Sequence, residues 1–94
     1  MTEVLHSQAK PSSPEFRENR AHHLETIEEI ESHVRAAKQG GGEQACRRHH
    51  ERNKLLPRER IDRLLDPGAP FLELSPLAAH GLYDGDAPSA GIVT

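Results

Sequence analysis

Apolar residues recur at spacings of three and four along Leu24, Ile27, Ile30, Val34 and Ala37. That rhythm sets them on one face of a helix. Phe16 joins the face at its start, while Glu25, Glu28, Glu29 and Glu31 crowd the other side. Ser13-Pro14-Glu15 is a start signal: a capping hydroxyl, a proline at the first helical position, then an acid near the positive end of the dipole. Gly40-Gly41-Gly42 is the stop, with Arg35 and Lys38 in the last turns, so the spacing predicts a helix over 14–39. A second, short helix is predicted over 43–52, poor in apolar residues and therefore on a surface. A third runs over 57–65, opened by Pro57, with Ile61, Leu64 and Leu65 as its inner edge and Asp66-Pro67-Gly68 ending it. Phe71-Leu72-Glu73-Leu74 reads as a short strand closed by Pro76, and Gly91-Ile92-Val93-Thr94 as the first half of another. Residues 1–12 are polar and read as a disordered lead-in.

Composition weakens the case for a self-sufficient core. The chain has 94 residues, 34% of them hydrophobic and 3% aromatic, with no Trp. One small domain is the upper limit, and few side chains are large enough to anchor it. The net charge of −3 argues against a general nucleic-acid binder. Lone Cys46 excludes an internal disulfide and a cysteine-built metal site. No apolar run approaches the roughly 20 residues a membrane span needs. The start Met1-Thr2-Glu3-Val4-Leu5-His6 carries neither a secretory nor a transit pattern, so the cytoplasm of a bacterium is the expected compartment.

Charge is segregated. Glutamates dominate 14–31, while Arg47, Arg48, Arg52, Lys54, Arg58, Arg60 and Arg63 give 47–63 a basic balance. The two stretches pair as a helical hairpin or stay as separate solvated faces, and the sequence leaves both open. The basic run is suited to an anion, nucleotide phosphates included, although pairing within the chain or with another subunit is the simpler account of it. His22-His23 and His49-His50 are adjacent pairs that diverge on a helix and do not chelate as i and i+4 residues would, so no metal site is expected. Cys46, beside Arg47 and Arg48, has the setting of an activated thiol, yet a bland surface thiol is the simpler reading. Gly40-Gly41-Gly42 lacks the Lys-Ser/Thr of a phosphate loop.

The segment from Gly40 to Ser75 resembles the start of the carboxyltransferase (beta) subunits of biotin-dependent acyl-CoA carboxylases. The resemblance rests on Gly41-Gly42-Glu43, Ala45, Arg48, His49, Arg52, the run Lys54 to Asp62, Leu64-Leu65-Asp66-Pro67-Gly68 and Pro70 to Ser75. Leu82-Tyr83-Asp84, Pro88 and Gly91-Ile92 bring it nearest the methylcrotonyl-CoA branch, with the propionyl-CoA and geranyl-CoA branches next. Asn53 departs from the glycine common there, but Asn tolerates a left-handed backbone and keeps the turn.

What the resemblance implies is an α+β, mainly helical start, its helices and first strands leading into a crotonase-like (ClpP/crotonase) carboxyltransferase fold. On that reading 13–94 is the incomplete beginning of a carboxyltransferase N-terminal domain. The implied chemistry moves a carboxyl group from carboxybiotin to a branched-chain acyl-CoA, as in leucine breakdown. The chain itself would be inactive, with no catalytic residue and no bound cofactor. Biotin would ride on a partner subunit, and the remainder of the carboxyltransferase, the biotin carboxylase/carrier subunit and acyl-CoA would be its partners. Arg52, Lys54 and Arg58 are the candidates for contact with the phosphates of CoA. The competing reading is a non-enzymatic helical module that docks through Leu24, Ile27, Ile30 and Val34.

Overall fold

The structure is a computed structural model that describes residues 2–94. Three α-helices follow in order: α1 (Pro14–Lys38), α2 (Glu43–Glu51) and α3 (Pro57–Leu64). Two short 3₁₀ segments, Leu82–Gly85 and Pro88–Gly91, lie nearer the C-terminus. The chain divides into two compact units, one reaching Glu31 and the other Ser32–Thr94, and α1 contributes to both.

In the first unit Ser13 opens α1, its Oγ accepting the Phe16 N–H at 3.2 Å. The Arg17 guanidinium donates to the Ser12 carbonyl at 2.8 Å and tightens the same entry. Leu24, Ile27 and Ile30 stay about half exposed, at 47%, 49% and 49%. The amphipathic pattern therefore fixes the helix, while burial of its apolar face contributes little here.

The second unit starts where α1 ends. Gly40 turns left-handed at φ 58°, and its N–H donates to Ala37 O at 3.1 Å. Gly41 is needed for space: a Cβ there would stand 2.9 Å from the Ala45 Cβ, so only glycine lets α2 start this close to the turn. α2 ends in a Schellman arrangement. The Asn53 N–H donates to His50 O at 2.8 Å and the Lys54 N–H to His49 O at 3.2 Å, with Asn53 left-handed at φ 56°. Asn53 thus holds the left-handed position expected of it. α3 begins at Pro57, whose missing N–H costs nothing at the first helical position. It stops at extended Leu65, just before Asp66-Pro67-Gly68-Ala69, a turn closed by Ala69 N–H to Asp66 O at 2.9 Å.

Neither expected strand, 71–74 or 91–94, is present among the described residues, so this part of the chain is helical and irregular rather than α+β. The reason is pairing. One backbone hydrogen bond, Leu74 N–H to Thr94 O at 2.7 Å, joins the two segments, supported by Thr94 Oγ1 donating to Leu74 O at 3.4 Å. A single bond makes no ladder. The alternation in 71–74 is also inverted: Glu73 turns in, its side chain 10% exposed, while Leu72 and Leu74 face solvent at 81% and 60%. Between the segments the backbone is left-handed at Ser75, Ala79, Tyr83, Asp84, Ser89 and Ala90, conformations that disfavour any L residue with a Cβ. No hydrophobic side chain is buried among the described residues, and Ser89, at 5% exposed, is the buried residue of the unit.

The left-handed α2 terminus yields the first test. Asn53→Gly should leave stability nearly unchanged, because glycine adopts that φ freely. Asn53→Val should cost about 1–2 kcal/mol, measured as the shift in urea midpoint of the helical circular-dichroism signal. Equal effects of the two substitutions would show that backbone conformation is not what this position supplies.

Candidate functional site

The polar residues of the second unit gather in two places. The first is centred on Arg58, at the second position of α3. Its guanidinium grips the Glu73 carboxylate with two N–H groups, Nε to Oε2 at 3.0 Å and Nη2 to Oε1. Nη2 also reaches Ser89 Oγ at 3.3 Å, and Ser89 Oγ in turn donates to Pro76 O at 2.8 Å. Nη1 reaches Lys38 O, a bare carbonyl at the end of α1, at 3.5 Å. One side chain therefore ties the C-terminus of α1, the extended 71–74 segment and the 88–91 turn to α3. The pair is well shielded, with side chains 26% and 10% exposed. The Arg58 hydrogen bonds, followed by its charge, hold the Glu73 carboxyl below the usual carboxylate value, against the opposing pull of burial.

The second place is the turn between α2 and α3. Glu59 is the third residue of α3, and one carboxylate oxygen accepts the Leu56 N–H at 2.7 Å. This is one half of a capping box, since Leu56 has no side-chain oxygen to return the bond. Both oxygens of the same carboxylate lie 2.9 Å from His50 Nε2 on α2. Hydrogen bonding to His50, then to the Leu56 backbone, lowers the Glu59 carboxyl from its ordinary value. His49 Nε2 faces Leu55 O at 3.1 Å, which closes the loop from the inside.

The three candidate phosphate ligands part company here. Arg52 and Lys54 are exposed and flank Asn53 on the turn. Arg58 sits apart from them in use, its planar fork occupied by Glu73. Between the end of α1, α2, the start of α3 and the 86–93 segment lies a cavity of about 470 Å³, walled by Lys38, Cys46, His49, Arg58, Ser89 and Ile92 among others. Cys46 Sγ donates within it to Gln39 O at 3.4 Å. No group of three or more His, Cys, Asp or Glu residues is placed to hold a metal ion among the described residues. Nor is any helix there long and apolar enough to cross a membrane.

Sequence reasoning missed Glu59, His50, Glu73 and Ser89. Glu59 was findable: a glutamate two residues after a helix-opening proline stands where a capping carboxylate belongs. Glu73 and Ser89 carried no such signal, because their partners lie 15 and 31 residues from them along the chain.

No family profile matches the chain. It is 57% identical over 72 residues to the biotin-dependent 3-methylcrotonyl-coenzyme A carboxylase beta1 subunit of Mycobacterium tuberculosis, a match over 77% of this chain and 14% of that protein. Against the mitochondrial methylcrotonoyl-CoA carboxylase beta chain of Arabidopsis thaliana it is 60% identical over 68 residues, or 72% of this chain and 12% of the relative. A probable methylcrotonoyl-CoA carboxylase beta chain of Drosophila melanogaster aligns at 46% identity over 92 residues, 97% of this chain and 16% of the relative. The chain belongs to the beta-subunit family of biotin-dependent acyl-CoA carboxylases. Within that family, its sequence matches a segment of methylcrotonoyl-CoA carboxylase beta chains, and it spans 12–16% of the length of these three relatives.

The Arg58–Glu73 grip generates the second prediction. Arg58→Met strands a nearly buried carboxylate and should destabilise the second unit by about 2–3 kcal/mol. Glu73→Gln should cost less, and its cost should depend on pH. Because the folded carboxyl titrates below its ordinary value of 4.5, its contribution is complete above that pH and disappears as pH falls through the lowered value. Urea midpoints of the wild type and Glu73→Gln should therefore differ at pH 7 and converge in acid. A gap that persists at pH 2–3 would show that charge is not the source.

Proposed function

We propose that this chain is a structural segment of a carboxyltransferase that moves a carboxyl group from carboxybiotin to a branched-chain acyl-CoA of the 3-methylcrotonyl type. The identity to methylcrotonoyl-CoA carboxylase beta chains, 46–60% over most of the chain, carries the reading. In it the segment supplies no reacting group. Biotin arrives on a partner subunit, the acyl-CoA is shared with the remainder of the carboxyltransferase, and the setting is the bacterial cytoplasm.

Within that role the exposed turn is the contact for CoA phosphates, through Arg52 and Lys54. Both cations project from a turn that backbone bonds at His49 and His50 hold in one conformation. Arg58, spent on Glu73, fixes α3 beneath the turn instead of touching ligand. Two exposed cations attract a polyphosphate only modestly.

Calorimetric titration of the 94-residue chain with coenzyme A is the test. Arg52→Ala and Lys54→Ala should each weaken binding up to about fivefold, and dephosphorylated pantetheine should not bind measurably. Unchanged affinity in the double variant would remove the phosphate role. Carboxylation of 3-methylcrotonyl-CoA by the isolated chain would overturn the structural role.

A further inference from the structure

Two histidines outside the places described above stand together. The ring centres of His33, near the end of α1, and His80, in the turn after Pro76, are 4.6 Å apart and the rings are tilted by 59°. Both line one cavity of about 250 Å³, walled otherwise by mostly small and apolar residues. We infer that the pair is a two-imidazole site for a divalent transition ion, Cu(II) or Ni(II), which clips α1 to the turn that carries His80.

The backbone brings His80 to this position. Ala79 before it and Gly81 after it are left-handed, at φ 60° and 75°. The His80 N–H donates to Leu77 O at 3.0 Å and the Leu82 N–H to Ala79 O at 3.1 Å, which fixes the turn. The Ala90 N–H, donating to Ala78 O at 2.9 Å, ties the turn to the second 3₁₀ segment. A left-handed alanine carries a cost that glycine avoids, and such outliers collect at ligand clamps and other functional sites. His33 is placed by the regular backbone of α1 and is half-buried, while His80 is exposed. The pair therefore meets protein on one side and water on the other.

The spacing fits shared coordination. An imidazole nitrogen lies about 2.1 Å from a bound divalent ion, which sets the ion about 3.2 Å from the ring centre. Two rings that meet one ion at a right angle then have centres about 4.5 Å apart, and at a tetrahedral angle about 5.2 Å. The observed 4.6 Å matches the right angle. That is the cis arrangement of square-planar and octahedral ions, hence Cu(II) or Ni(II) ahead of tetrahedral Zn(II). The tilt suits it as well, since rings stacked face to face present no edge to a common ion. Each ring ligates through one nitrogen and keeps the other for a hydrogen bond. Water completes the shell on the exposed side. Two protein ligands are fewer than a closed structural site uses, so binding is modest and reversible. His22 and His23, with ring centres 5.8 Å apart, are too widely set for either angle.

Metal titration of the full chain tests the site. Substoichiometric Cu(II), through its paramagnetism, should broaden the amide NMR signals of 32–34 and 79–81 before those of 22–23. In calorimetry His33→Gln and His80→Gln should each weaken Ni(II) binding at least about tenfold, the cost of losing even a residue that only supports a ligand. His22→Gln should leave it in place. Ni(II) should raise the urea midpoint of the wild type but not of His80→Gln, and Mg(II), which takes oxygen ligands, should raise neither. His80 is exposed, so its substitution keeps the test decisive even if His33→Gln disturbs α1. Broadening that begins at another histidine, or Ni(II) affinity retained in His80→Gln, overturns the site.

Discussion

The second unit depends on one charged contact, the fork of Arg58 on Glu73. A domain of ordinary composition would tie its elements together by burying leucines and phenylalanines between them. Here no apolar side chain is buried among the described residues, and the shielded centre is polar. Arg58 serves because its planar, permanently charged head donates in several directions at once. It meets a carboxylate, a hydroxyl and a carbonyl from three separate stretches of chain. Glu73 matters as the counter-charge that makes shielding an arginine tolerable.

The segment brings ready-made helices, caps and a rigid turn, all specified by local sequence. It does not bring the apolar mass that would make those parts a self-supporting layer. The run of left-handed residues from Ser75 to Ala90 belongs to the same picture. Such conformations persist when their surroundings over-determine them, and within this segment only Ser89 has buried surroundings.

Legibility in the sequence followed the range of the forces. The three helices were readable because serine at the first cap, prolines at first positions and glycines past an end act within one turn. Asn53 was readable for the same reason. The two strands were misjudged because hydrophobic alternation reports a tendency to pair, not the presence of a partner, and Leu74 and Thr94 make one contact where a ladder needs a series. Within 71–74 it is Glu73 that faces inward, since Arg58 meets it there. Of the phosphate candidates, Arg52 and Lys54 sit together on the exposed turn, whereas the pairing of Arg58 with Glu73 was not legible because the two lie far apart along the chain.

The inverted pattern of 71–74 has a colloidal consequence. With the acid drawn inward to meet a guanidinium, the stretch turns its two leucines to water, at 81% and 60% exposed. The segment thus spends its charge where water cannot see it and presents grease where water can. Most proteins guard an extended margin with lysine or glutamate facing out. This one has its gatekeeper facing inward, which leaves the two exposed leucines without an outward charge between them.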